Sequence, residues 1–179
     1  MIYVIISIQV IRNSKISRIN HTTINKIFDG GGIIMISFRN ITSDNWKECI
    51  NLKISDDEKD FIWPNVYSIA ESQFYPKAVS KAIYDDEQMV GYTMFGEDED
   101  DSNLFYIDRL MISKDFRNKG HAFEAIQLII KEAIKNGFNA IATSVDPKNN
   151  KMQSLLKKAD FYSKNEFDNG EIIFYYQVK

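Results

Sequence analysis

Arg117, Asn118, Lys119, Gly120, His121 and Ala122 form a basic, glycine-containing loop between an apolar stretch at 104–112 and a helix-forming run at 123–136. The first N–H groups of a helix have no intrahelical partner and point outward. Together with the helix dipole they make a seat for a phosphate or pyrophosphate. Gly120 permits close backbone approach, and Arg117 and Lys119 add positive charge. His121 reads either as a pH-dependent donor to such an anion or as an exposed residue at the helix start. One glycine among basic residues is a common pattern. The position between strand and helix is what gives it meaning.

A second residue with chemical potential is Asp108, which interrupts the apolar stretch 104–112. An unpaired charge is costly to bury there. Asp108 therefore reads as a carboxylate that binds a cation and accepts its proton, or as the ion-pair partner of Arg109. Five consecutive acids, Glu97, Asp98, Glu99, Asp100 and Asp101, come just before this stretch. They suit a solvated turn, or a field that draws in a polycation, more strongly at low salt. The formal charge of −3 and pI near 5.5 argue against a general nucleic-acid binder. One cysteine, Cys49, excludes an internal disulfide framework and fits a reducing cytosol. Two histidines with no close Cys/His pairing give no zinc site.

The elements that would position these residues follow from periodicity. Residues 36–41 alternate as a strand. Thr42 or Ser43 could cap a helix over 44–54, and a second helix covers 66–74 after Pro64. Strands at 78–84 and 89–96 form a hairpin, and the long strand 104–112 follows. In the helix after the basic loop, Ala122, Ile126, Ile129, Ile130 and Ala133 share one face. A strand at 140–145, a short helix at 152–158, and a hairpin of 161–167 with 172–178 around Asp168, Asn169 and Gly170 complete the chain. The result is an α/β chain with a mixed, mostly antiparallel sheet flanked by helices, in one domain over 35–179.

Residues 1–34 differ in character, with eleven isoleucines, four basic side chains and one acid. The apolar run 1–11 is far shorter than the roughly 20 residues that span a bilayer. No basic segment precedes it and no small-residue cleavage site follows, as a signal peptide would require. Asp29, Gly30 and Gly31 can be encoded by a purine-rich ribosome-binding sequence at a suitable distance before Met35. Met35 is therefore the expected start, with 1–34 a translated leader; the alternative is a genuine N-terminal strand at 2–10. The intact mass of the natively expressed product distinguishes them.

From about residue 36 onward the chain resembles the GCN5-related N-acetyltransferase (GNAT) superfamily. Arg117 to Ala122 match that family's Arg/Gln-x-x-Gly-x-Gly/Ala loop, which holds the pyrophosphate of acetyl-CoA. The chain is similar, more narrowly, to bacterial spermine/spermidine acetyltransferases, through residues 66–71 before Pro76, 90–96, and 107–112. The resemblance implies that Leu110, Met111 and Ile112 offer backbone groups to the pantetheine arm of acetyl-CoA. Asp108, two residues before that segment, is then the candidate catalytic base and amine contact. Glu71 is another amine contact, and Asn149 or Asn150 touches the cofactor unless it only caps a helix. The reaction implied is acetylation of a polyamine such as spermidine, in the cytoplasm, with no metal, nucleic acid or membrane involved. A homodimer is compatible with the likeness. Other readings are a GNAT enzyme for an aminoglycoside, an amino acid or a protein N-terminus, and a non-catalytic acetyl-CoA-binding regulatory module. Two positions depart from the family pattern. Leu156 stands where a tyrosine commonly protonates the CoA thiolate, and Asp160 where glycine is usual. Tyr162, Tyr106 or water would then supply that proton.

Overall fold

The computed structural model describes residues 23–27 and 33–178. Among the described residues eight strands form one sheet: β1 (Thr23–Ile27), β2 (Ile33–Asn40), β3 (Ala78–Asp85), β4 (Gln88–Glu97), β5 (Leu104–Ile112), β6 (Ala140–Val145), β7 (Tyr162–Asp168) and β8 (Glu171–Gln177). Their order is β1-β2-β3-β4-β5-β6-β8-β7, and of the pairs these described strands make, β5–β6 is parallel and the others antiparallel. Four α-helices among the described residues flank it: α1 (Trp46–Ile50), α2 (Asn65–Glu71), α3 (His121–Lys135) and α4 (Asn150–Lys158).

Alternation along the strands sends apolar side chains to both faces of the sheet. On one face Ile107, Ile126, Ile129, Leu156, Phe161 and Phe174 join α3 and α4 to the sheet. On the other, Cys49, Tyr92, Met94 and Met111 pack with Ile54 and Ile69 beneath α1 and α2. The mixed, mostly antiparallel sheet expected from sequence is therefore present. β1, which pairs with β2 in register Ile24↔Ile36, lies in the segment read as leader, where no strand was expected at 23–27. The alternative strand at 2–10 lies outside the described residues.

The helices begin and end differently from the sequence reading. α1 is five residues long rather than spanning 44–54, and Asn51 Nδ2 donates to the Lys47 carbonyl at 2.7 Å where it stops. Neither Thr42 nor Ser43 is its N-cap; Asn45 holds that place and accepts from Thr42 N at 2.7 Å. α3 starts at His121, two residues early, because Gly120 takes a left-handed backbone (φ 89°) that turns the chain into the helix. α4 starts at Asn150 since Asn149 Oδ1 accepts from Met152 N at 3.0 Å. Asp160 follows α4 with φ 65°. The backbone there takes the conformation that favours glycine, and aspartate tolerates it.

Gly91 is fixed by close approach. A Cβ on it would lie 2.3 Å from the Met111 carbonyl oxygen and 2.9 Å from Ile112 Cδ1. Gly91→Ala must push β5 away from β4 and is expected to cost about 1–3 kcal/mol, read as a lowered denaturation midpoint. An unchanged midpoint would show that the sheet yields there freely.

Candidate active site

The site is built on a fork. β5 and β6 pair at only three positions, Leu104↔Ala140, Phe105↔Ile141 and Tyr106↔Ala142. Beyond Tyr106, β5 stays with β4 and β6 stays with β8, so the strands splay. Thr143 Oγ1 donates to the Ile107 carbonyl at 2.9 Å and bridges the crotch of the fork. A cavity of about 710 Å³ opens between the arms. Strand edges that have lost their neighbour offer N–H and C=O groups to an extended ligand. Leu110, Met111 and Ile112 line this cavity from the β5 arm.

The basic loop closes one end. Asn118, Gly120, His121 and Ala122 line the cavity, and no side chain caps the start of α3. Asn118 (φ 60°) and Gly120 (φ 89°) are both left-handed. Such alternation in a loop turns successive N–H groups toward a common anion seat. Asn149 and Asn150 also line the cavity, Asn149 while capping α4.

The loop's side chains are otherwise engaged. Arg117 Nε donates to the Ile112 carbonyl at 3.1 Å, Nη1 donates to Ser55 Oγ, and Nη2 pairs with Glu58. Lys119 lies with its Nζ 5.6 Å from the centre of the Phe116 ring. It is not among the cavity-lining residues. His121 is buried; its Nδ1 meets the Phe116 carbonyl at 2.8 Å and its Nε2 meets Asp85 Oδ2 at 2.9 Å. A carbonyl oxygen only accepts, so Nδ1 carries a hydrogen. His121 thus ties the loop to β3, in place of the exposed position considered from sequence.

Toward the N-terminal end of β5 a second cavity of about 400 Å³ is lined by Glu71, Glu97, Asp98, Glu99, Asp108 and Asp168, with Tyr75, Tyr106 and Tyr175. Three of the five consecutive acids therefore face a pocket. The remaining pair, Asp100 and Asp101, shapes the turn, since Asp98 Oδ1 accepts from both of their N–H groups at 3.0 and 2.9 Å. Glu71 pairs with Arg109 Nη2 at 3.0 Å.

Asp108 and Arg109 line both cavities. The register of β4 against β5 jumps here, with Met94 opposite Arg109 and Phe95 opposite Ile107, so Asp108 is the extra residue of a bulge. Bulges re-aim a side chain out of the ladder. Burial pushes the Asp108 carboxyl up to about 6; Arg109 opposes this, and Glu71 and Asp98 reinforce it. A carboxyl poised in that range is suited to take a proton near neutral pH. The ion pair of Arg109 is with Glu71, while its Nη1 donates to the Asp108 backbone carbonyl at 2.8 Å.

Leu156 is fully buried in the core between α4 and the sheet, so that position offers no proton donor. Tyr162 is 45% exposed and lines neither cavity. Tyr106 lines the acidic cavity, and burial raises its phenol. Sequence reasoning missed the segment around Glu58, Phe61, Ile62 and Trp63, which walls the large cavity, and Ser144 and Glu171 on its opposite arm. Nothing in their local pattern marks them, because only the splay brings them together. Among the described residues no group of three or more His, Cys, Asp or Glu side chains is placed to hold a metal ion. No helix among them is long and apolar enough to cross a membrane.

Comparison with known proteins gives a consistent result. A family model described as the acetyltransferase (GNAT) family matches residues 38–161. No curated protein matches the chain in sequence at a significant level. The GNAT domain of S. lividans PAT superposes with a TM-score of 0.68 at 17% identity, covering 87% of this chain and 97% of that one. Mycobacterium smegmatis RimJ, solved with a CoA disulfide, gives 0.64 at 13% identity over 80% and 82% of the two chains. The microcin C7 self-immunity acetyltransferase MccE, solved with acetyl-CoA and AMP, gives 0.63 at 19% identity over 80% and 92%. At such identities the likeness establishes the fold.

Proposed function

Because the chain belongs to the acetyltransferase (GNAT) family, we propose that it moves the acetyl group of acetyl-CoA to a primary amine of a small polycation, of the spermidine or spermine kind. The observation that carries this reading is the bulged Asp108, which lines both the cavity of the fork and the acid-lined cavity next to it. In this reading the fork takes the donor. Pyrophosphate sits at the loop 118–122 and the start of α3, and pantetheine runs along Leu110, Met111 and Ile112. The acidic cavity takes the acceptor.

A polyamine nitrogen has a pKa near about 10 by analogy with lysine, so it arrives as an ammonium ion. Asp108 binds that cation and takes one proton. The freed nitrogen attacks the thioester carbonyl, the C–S bond breaks, and the CoA thiolate leaves. With a free-thiol pKa of about 8.5 the thiolate is a tolerable leaving group. The second proton of the attacking nitrogen is lost as the intermediate collapses and reaches the thiolate by way of water or Tyr106, Leu156 having none to give. Asp108 returns its proton to solvent.

Release of free CoA thiol, followed with spermidine, an aminoglycoside, an amino acid and an N-terminal peptide, tests the reading. The expected order puts spermidine first in kcat/KM. Turnover only with the peptide would move the acceptor to the protein N-terminus class. Tight acetyl-CoA binding with no turnover on any amine would make the chain a binding module.

A further inference from the structure

Glu58 lies in a 3-10 turn (Asp56–Glu58) that no sequence pattern connects to the loop 117–122. Its carboxylate is mostly buried and lines the large cavity. It pairs through Oε2 with Arg117 Nη2, and its Oε1 lies 3.6 Å from Lys151 Nζ on the first turn of α4. Arg117 and Lys151 line the same cavity, close to the uncapped start of α3. Two cations converge beside the anion seat, and both are held by one carboxylate of the protein.

We propose that Glu58 is an internal competitor of the donor's phosphates: it occupies Arg117 and Lys151 and thereby sets a ceiling on CoA affinity. The inference rests on the acetyl-CoA reading of the fork. A pyrophosphate arriving at 118–122 meets a like charge whose juxtaposition is unfavourable, unless Glu58 yields one or both cations. If it does yield, Arg117 Nη2 and Lys151 Nζ become donors to the phosphates, and charge-assisted bonds of this kind are the strong ones. On departure of the product the carboxylate re-forms its pairs, so the same contact hastens CoA release. Backbone anchors hold the neighbouring chain in place meanwhile: Lys114 N donates to the Lys53 carbonyl at 2.9 Å, and Arg117 Nε holds Ile112. The exchange centres on the 55–58 turn, whose Ser55 Oγ also holds Arg117 Nη1.

Glu58→Gln keeps the shape and an acceptor oxygen for Arg117 while removing the charge. The expected result is CoA binding about tenfold tighter by calorimetry at low salt, with the gain shrinking as salt rises. Pantetheine, which has no phosphate, is the control: its affinity should not change. A purely structural role for Glu58 would weaken both ligands together. CoA binding to Glu58→Gln that is equal to wild type or weaker overturns the proposal while leaving the donor reading intact. Wild-type protein that binds no CoA at all overturns the donor reading and this inference with it.

Discussion

Asp108→Asn is expected to lower kcat for amine acetylation by about 10²–10⁴-fold, the usual contribution of a positioned general base, with acetyl-CoA affinity nearly unchanged. The asymmetry follows from the place of the residue. Asp108 is lifted out of the β4–β5 ladder by a bulge and lines both cavities, whereas the proposed donor contacts are backbone groups elsewhere on the fork. Its carboxyl is pushed from 3.8 to about 6, chiefly by burial. Below that value it is already protonated and cannot accept the amine's proton. Wild-type kcat/KM should therefore rise with pH through about 6, and the asparagine variant should lose that limb. Stability moves the other way. A carboxyl raised in the folded state binds its proton more tightly there than in the unfolded chain, so its contribution is present below pH 3.8 and is lost as pH rises to about 6. At neutral pH the variant should be at least as stable as wild type. Activity falling without stability separates a catalytic carboxylate from a structural one, and an unchanged turnover removes Asp108 from the mechanism.

The strand–loop–helix unit around 117–122 was legible in the sequence because its parts are contiguous: a strand, a glycine in a basic loop, and an amphipathic helix. The periods of 2 and 3.6 are local and survive without knowledge of the fold. The side-chain roles within the loop were not legible. Arg117 and His121 are paired with Ser55, Glu58 and Asp85, residues 36 to 62 positions earlier that only the sheet order brings close. The bulge was equally hidden, since 104–112 reads as an unbroken strand and its register depends on β4. Asp160 is an instructive case. Its departure from the glycine expected there is visible in the sequence, yet only the backbone at φ 65° tells why that position matters. Pairings across the sheet are set by non-local packing, and no window of sequence contains them.

Replacing Glu97, Asp98 and Glu99 together by Gln, Asn and Gln is expected to lower kcat/KM for spermidine by about 10–100-fold at low salt. The change should lie in KM rather than kcat. The amides keep the oxygens that order the loop, so the bonds from Asp100 N and Asp101 N to position 98 remain. What goes is the field in the proposed acceptor cavity, which these three acids line beside Glu71, Asp108 and Asp168. The Lys77 partner of Glu97 is also released, adding an uncompensated cation that repels a polyamine further. Because the effect acts through space in water, it should fade as ionic strength shortens the Debye length below about 10 Å. A monoamine acceptor supplies the comparison. It carries one charge into the same cavity, so it should lose much less than spermidine. Equal losses for both would mean that the run scaffolds β5, and no loss for either would return it to a solvated turn. Only a loss graded with acceptor charge, and erased by salt, requires the acids to recognise a polycation.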